Sequence, residues 1–350
     1  MHARAVVWKW EPVSPAEQIA AWLRAAGGPL SGEAMARRLG CTRAAVAKHV
    51  AALRRAGWRI DARRAEGYRL VSVPDRLSPA EVGPHLTGAW RDVRWLAETD
   101  STQRVARELA RGGAAEGTIV VAEAQTAGRG RLGRSWHSPP GVSIYCSIVL
   151  RPPAPPTAVP QLALVAGLAA ADAVVDATGL DARIKWPNDV LVEDRKVVGI
   201  LTEMEAEVDR VHFVIAGIGV NVNTPPDAFP PELRDKAGSL RAALGRPVER
   251  VVVLARLVAA LEARYATWRR DGLAPLLPAW AARDALAGRT VAVGDAAGTL
   301  LGRVLGVADD GALRLDVDGV ERRVTAGEVT LADAYPAARG HPGGGRHSPP

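Results

Sequence analysis

Two short stretches of this 350-residue chain concentrate residue types that handle anions and flat rings. The first, Gln125 to Trp136, reads QTAGRGRLGRSW. Its glycines, Gly128, Gly130 and Gly133, let backbone N–H groups approach a ligand closely. Its arginines, Arg129, Arg131 and Arg134, make the same loop attractive to an anion. Trp136 closes the stretch with an indole that can stack on a flat ring. The spacing is a literal G-x-G-x-x-G, but a dinucleotide fingerprint needs a helix to open at the last glycine. Here Trp136-His137-Ser138-Pro139-Pro140-Gly141 follows and then a strand, so the stretch is an anion-binding loop between two strands. The second stretch, Lys185 to Leu201, reads KWPNDVLVEDRKVVGIL, an Asn-Asp turn after proline that leads into a hairpin. The chain uses arginine for eight cations in nine, and its five lysines are Lys9, Lys48, Lys185, Lys196 and Lys236. Two of them in one segment point to a task for a compact point charge. Asp189 is expected to pair with Lys185 or to hold a metal through water.

These stretches need a scaffold. Thr118–Ala122, Val142–Leu150, Val197–Leu201 and Val211–Ile218 are strand candidates, and Leu162–Val175 is an Ala/Leu-rich helix. Ser101 or Thr102 can cap a helix that runs to Arg111 and stops at Gly112-Gly113. A mixed α+β domain built around a sheet follows. Thr290–Val293, Thr299–Val304, Leu313–Val317 and Arg322–Val324 are short strands separated by Gly and Asp turns, which read as a small barrel. From Pro336 the chain is rich in Gly and Pro and is expected to be disordered.

The front end has a different character. Ser14-Pro15-Ala16-Glu17 is a helix start with a capping box, and the helix stops at Gly27-Gly28. A second helix spans about Gly32–Leu39 and ends at Gly40. Thr42 caps a third, which runs to about Ala56 with Val46, Val50 and Leu53 on one face. A hairpin follows from Trp58 to Leu70. Two short helices joined by a tight glycine turn and followed by a hairpin form a winged helix-turn-helix pattern. Thr42, Arg43, Ala44, Ala47, Lys48, Arg54 and Arg55 are its candidate DNA-binding residues, the cations for phosphates and the small residues for close approach to base edges. Val71–Pro79, with two prolines, reads as a linker.

Charge divides the same way. Residues 1–75 hold 13 Lys and Arg against 6 Asp and Glu, so the whole formal net charge of +7 sits in them. A hydrophobic fraction of 48% excludes an intrinsically disordered chain. No run of about 18 apolar residues free of charges and prolines is present, which argues against a membrane span. The start lacks the pattern of a secretory signal. Two cysteines, Cys41 and Cys146, cannot build a disulfide framework. A cytoplasmic protein is the expectation.

The loop AGRGRLGRSW, the segment KWPNDVLVEDRKVVGIL, the upstream TDST and the later IAGIGVNVN together resemble the biotin–protein ligases. The front end makes the chain similar to the bifunctional subclass, whose members are both ligase and biotin-operon repressor. The resemblance covers roughly residues 15–332. With it the expectation is an α+β multidomain protein: a winged helix-turn-helix domain (14–72), a linker (73–88), a catalytic domain of the biotin/lipoate ligase type with a mixed α/β sheet (89–284) and an SH3-like β-barrel (285–333), flanked by an extension (1–13) that the resemblance does not explain and by the Gly/Pro-rich tail (334–350). It implies that biotin and MgATP give biotinyl-5′-AMP, which then acylates one lysine of a biotin carboxyl carrier protein of acetyl-CoA carboxylase. By motif position Ser101, Thr102, Gln103 and Gln125 fall to biotin, and Arg129, Gly130 and Arg131 to the loop that closes over it. Trp136 falls to the adenine, Lys185, Asn188 and Asp189 to the ATP side, and Lys196 to the biotin carboxylate and reacting phosphate. Lys196, Arg131 and Asp189 are thus the catalytic candidates, with Mg²⁺ held by the phosphates and by Asp189.

Two positions depart from the family's pattern, Gln103 for asparagine and Leu132 for a frequent arginine. They bear on ligand-linked loop order rather than on the reacting atoms. Operator DNA and a homodimer formed with adenylate bound are the further implied partners, and no membrane is. The strand region Val211–Val222 is a candidate dimer edge. Deleting residues 1–75 is expected to abolish operator binding and spare ligation. A biotin-sensing regulator without ligase activity and a lipoate ligase are the competing readings.

Overall fold

The computed structural model describes residues 14–331 apart from 56, 64, 65, 74, 296 and 297. The extension and the tail expected at the two ends lie outside the described residues.

The first unit is built by local signals. Helix α1 (Pro15–Ala25) opens with the capping box: the Ser14 hydroxyl accepts from the Glu17 N–H, and the Glu17 carboxylate accepts from the Ser14 N–H. Helix α2 (Gly32–Leu39) ends at Gly40, whose φ of +64° suits glycine. Helix α3 (Arg43–Arg55) is capped by Thr42, whose Oγ1 accepts from the Ala45 N–H at 3.2 Å. Strands β1 (Arg59–Arg63) and β2 (Gly67–Ser72) pair antiparallel as the wing. Ile19, Leu23, Met35, Val46, Val50 and Trp58 form a separate small core. Each such side chain contributes roughly 1.5–3 kcal/mol on burial.

The expected linker is only partly a linker. Leu77, Val82 and Leu86 are buried in the main core, and helix α4 (Pro79–Val82) lies among them. The prolines gave an irregular backbone, but the apolar residues at 77, 82 and 86 dock it on the central body.

There, strands β3 (Val93–Leu96), β4 (Ile119–Ala122), β5 (Ile144–Leu150), β6 (Arg183–Lys185), β7 (Asp189–Val192), β8 (Arg195–Ala206) and β9 (Val211–Val220) form one sheet in the order β3-β4-β5-β9-β8-β7-β6. Only the β3–β4 pair is parallel. Helix α5 (Thr102–Arg111) covers one face, placing Val105, Ala106 and Ala110 on Val120, Val149, Phe213 and Ile215. Helix α6 (Gln161–Thr178) packs between the sheet and helix α8 (Arg250–Asp271), with the short α7 (Leu240–Leu244) leading into α8. Being contacted all round, α6 is apolar all round. The stretch Pro156–Thr178 is long and apolar enough to cross a membrane, yet 67% of its most apolar window is buried inside this fold.

The dimer-edge expectation fails here. Strand β9 is hydrogen-bonded on both sides, to β5 and to β8, so Val211–Val220 offers no edge. Its apolar run reads equally well as a central strand, which it is.

After the short helix α9 (Leu277–Ala281) come β10 (Thr290–Asp295), β11 (Gly298–Val307), β12 (Leu313–Val317), β13 (Val320–Val324) and β14 (Glu328–Leu331), in the sheet order β13-β12-β11-β10-β14. Four of these strands were expected and β14 was not. This all-β domain shares the main core, and Trp186 Nε1 donates across the junction to the Gly311 carbonyl at 3.0 Å.

Candidate active site

The floor of the main cleft is glycine. Gly199 of β8 sits opposite Gly219 of β9, and the Trp136 ring lies on both. A Cβ at either position would come within 2.5 Å of the ring, so the close approach requires glycine. The loop delivers Trp136 through a small β-like turn. Gly130 N–H donates to the Arg134 carbonyl at 2.7 Å, and Trp136 N–H to the Gly128 carbonyl at 2.8 Å.

One end of the cleft is a network of neutral polar groups. Gln125 Oε1 accepts from the Thr102 N–H at 2.9 Å and from Thr102 Oγ1 at 3.1 Å. Thr102 Oγ1 lies 2.9 Å from Ser147 Oγ, which donates to Gln103 Oε1 at 3.0 Å. Gln103 Nε2 in turn donates to the carbonyls of Leu201 and Ile215. The extra methylene of Gln103 is accommodated because position 217 is glycine: a Cβ there would lie 2.3 Å from Gln103 Oε1. Ser101 is buried at the N-cap of α5, yet its side chain makes no capping bond. Neutral donors and acceptors in low dielectric suit a neutral polar ring.

The other end is charged. Lys196 Nζ pairs with Asp189 Oδ1 at 2.6 Å and lies 5.5 Å from the centre of the Trp136 ring. This corrects the expected pairing of Asp189 with Lys185. Lys185 is the register partner of Asp189, but the carboxylate turns to Lys196 instead. Burial pushes the Lys185 ammonium below its ordinary range, with Asp189 opposing the shift. Arg131 crosses the cleft, its Nη1 donating to Asn188 Oδ1 at 2.9 Å and its Nη2 to the Gly327 carbonyl at 3.4 Å. Asn188 is fixed by its own donation to the Ile200 carbonyl at 2.8 Å. Burial also draws the Arg131 guanidinium downward, against the attraction of Asp189 and Glu328.

The three loop arginines do not form the joint anion cluster their spacing suggested. Arg129 pairs with Glu203 at 3.2 Å, and Arg134 pairs with Glu328 of the C-terminal domain. The chain reverses direction through a tight turn at Arg131–Gly133, with Leu132 and Gly133 at positive φ, so the three arginines leave the loop in different directions and each meets a different partner. Ser101, Thr102, Gln103, Gln125, Arg129, Gly130, Arg131, Trp136, Asn188 and Lys196 nevertheless line one cleft. Asp189 reaches it through Lys196, and Lys185 lies off its walls.

Sequence reasoning missed Tyr145, Cys146 and Ser147 of β5 and the glycines of β8 and β9. A serine within an apolar strand and the alternation Gly217-Ile218-Gly219 were the available signals. Burial pushes the Cys146 thiol up to about 12, so it is wall rather than nucleophile.

On the first unit, Arg43, Ala44, Ala47 and Lys48 are exposed on α3, as is Arg55. Arg54 is exposed as well, but its guanidinium donates to the Ile60 carbonyl and ties α3 to the wing.

A fold of this kind, with an amide-lined pocket at one end of a cleft and a lysine–carboxylate pair at the other, defines a class. Residues 95–221 match the biotin/lipoate A/B protein ligase family, residues 16–69 an HTH domain, and residues 287–331 the biotin protein ligase C-terminal domain. The chain belongs to the biotin protein ligase family. It is 40% identical over 311 residues to the bifunctional ligase/repressor BirA of Bacillus subtilis, covering 86% of this chain and 94% of that protein. To the BirA of Escherichia coli it is 32% identical over 307 residues, covering 87% and 93%. The structure of the Aquifex aeolicus biotin protein ligase in complex with biotin and ATP matches with a TM-score of 0.61 at 29% identity, over 69% of this chain and 98% of that one.

Proposed function

We propose that this chain activates biotin with ATP, transfers it to a lysine of a biotin carboxyl carrier protein, and uses its first domain to repress biotin-synthesis genes. The observation that carries the ligase reading is the convergence of Lys196–Asp189 and Arg131–Asn188 at the charged end of a cleft whose other end is neutral and buried.

In this reading Ser101, Thr102 and Gln125 hold the ureido ring, and Gln103 braces the wall behind it. The carboxylate tail then runs toward Lys196. A biotin carboxylate oxygen attacks the α-phosphorus of ATP, a P–O bond to pyrophosphate breaks, and biotinyl-5′-AMP forms. Both reactants are anions, so Lys196 and Arg131 act by holding them together in a partly dry site. Trp136 supplies a wall for a flat ring, assigned to the adenine. In the second step the carrier amine attacks the acyl carbon, AMP leaves with the bonding electrons, and the amine gives up its proton. Closure of the loop from Arg129 to Arg131 keeps water from the mixed anhydride meanwhile.

Among the described residues no group of three His, Cys, Asp or Glu is placed to hold a metal. Asp189, on the charged side of the cleft beside Lys196, is the carboxylate that would hold a Mg²⁺ brought in on the phosphates. The bound ion would offset charge on the departing pyrophosphate.

For repression, α3 enters the major groove with Arg43, Lys48 and Arg55 near phosphates and Ala44 and Ala47 near base edges. A homodimer formed with adenylate bound matches a palindromic operator. Strand β7 pairs with β8 only as far as Gly199, while β8 runs to Ala206, so the outer edge of its second half is where a second copy could add its strand. A need for ATP and for a carrier of acetyl-CoA carboxylase supports a cytoplasmic reading.

The test is transfer to a purified carrier domain followed by mass spectrometry. The native chain adds one biotin to one carrier lysine, and Lys196→Ala lowers the rate by at least about 100-fold with the fold intact. Near-normal transfer by the variant would remove Lys196 from the chemistry.

A further inference from the structure

Arg250, the first residue of α8, is 1% exposed, and three segments meet on its guanidinium. Nε donates to Asp75 Oδ2 at 3.0 Å, Nη2 donates to the Asp75 carbonyl, and the Arg250 main-chain N–H donates to Asp75 Oδ1 at 3.2 Å. Nη1 donates to Glu123 Oε2 at 2.8 Å and to the Ser143 carbonyl at 3.1 Å. These positions are not scattered. Glu123 directly follows β4 and Ser143 directly precedes β5, so they are the two roots of the segment that carries the glycine–arginine loop and Trp136. Asp75 lies three residues beyond β2, on the connector from the DNA-binding unit. The connector is also bonded straight to the loop root, Leu77 N–H donating to Glu123 Oε1 at 2.9 Å. Farther along it, Arg24 of α1 pairs with Glu81 of α4 at 3.4 Å.

We propose that Arg250 is a positioning residue that couples the ligand loop to the connector, so that substrate in the cleft changes how firmly the DNA-binding unit is anchored. The coupling rests on the ligand reading of the cleft given above. A buried guanidinium shared between two carboxylates cannot release one without leaving charge uncompensated. Movement of Glu123 or Ser143 as the loop closes therefore shifts the guanidinium, and Asp75 and Leu77 must follow. Such coupling is reciprocal: the anchorage of the connector feeds back on substrate affinity by the same factor.

The experiment is hydrogen exchange on the full chain, read at the Leu77 amide and along residues 126–136, with and without biotin and ATP. In the native chain the ligands slow exchange along the loop and change exchange at Leu77 by roughly 5-fold or more. In Asp75→Asn the loop still responds, while the Leu77 response falls below about 2-fold and KM for biotin shifts with kcat retained. Asp75→Glu, which keeps the charge, restores part of the response. A side chain that merely stabilised the fold would move none of these ligand-dependent differences. Loop protection in the native chain with no change at Leu77 overturns the coupling, as does an equal Leu77 response in Asp75→Asn. If biotin and ATP alter nothing along the loop and release no pyrophosphate, the ligand reading has failed, and the coupling falls with it.

Discussion

At the scale of single residues, the cleft depends as much on missing side chains as on present ones. Gly199 and Gly219 are the bed of Trp136, and their substitution tests the bed without touching a charged group. Gly219→Ala inserts a methyl within 2.5 Å of the indole. Overpacking of this kind costs about 1–3 kcal/mol, shared between the ring and the strand. The expected outcome is at least a ~10-fold rise in KM for biotin or ATP, for 1.4 kcal/mol is a factor of ten. Steady-state kinetics with circular dichroism as a fold control checks it, and unchanged constants would mean that Trp136 has no part in binding. Lys196 was legible because lysine is so scarce in this chain. Its partner was not legible. The choice of Asp189 between Lys185 and Lys196 is made by how side chains leave neighbouring strands, and a linear motif carries no such information.

At the scale of elements, the junction between α1 and α4 holds an ion pair that is poorly hydrated. Burial raises the Glu81 carboxyl from 4.5 to about 7 despite the attraction of Arg24. A carboxyl raised on folding contributes stability that is complete below its unfolded value and is lost as pH climbs through its folded value. The window here runs from about 4.5 to about 7. Glu81→Gln, neutral throughout, should gain stability relative to the native chain between pH 5 and pH 8, by up to about 3 kcal/mol. Denaturant unfolding at both values checks it, and a difference independent of pH would contradict it. The helices of the first unit were legible to within a residue because caps and glycine stops are local. Helix α8 and strands β3 and β14 escaped, and the short connector helix was read as linker. Their identity comes from what they pack on, as Leu77 and Leu86 show by joining a core that is mostly far away in sequence.

At the scale of the whole molecule, the +7 charge belongs to residues 1–75, but the structural division falls slightly earlier. Asp75 is held by Arg250 and so belongs physically to the catalytic body. Removal of residues 1–72 is expected to abolish operator binding and leave biotinylation within a few-fold of native. Removal of residues 1–75 also strips a carboxylate from a buried guanidinium, an act that costs about 3–5 kcal/mol in comparable cases. Thermal unfolding of the two truncations should therefore separate them, with the longer deletion the less stable. Equal melting temperatures would place the boundary beyond Asp75.

The central claim is the identity of the small acid that meets ATP in this cleft. Purified full-length protein is incubated with ATP and biotin, with ATP and lipoate, or with ATP alone, and pyrophosphate release is followed. Rapid release with biotin, and only background with lipoate or no acid, is the expected result. Release that lipoate supports as well as biotin, or that biotin does not stimulate, would contradict the assignment.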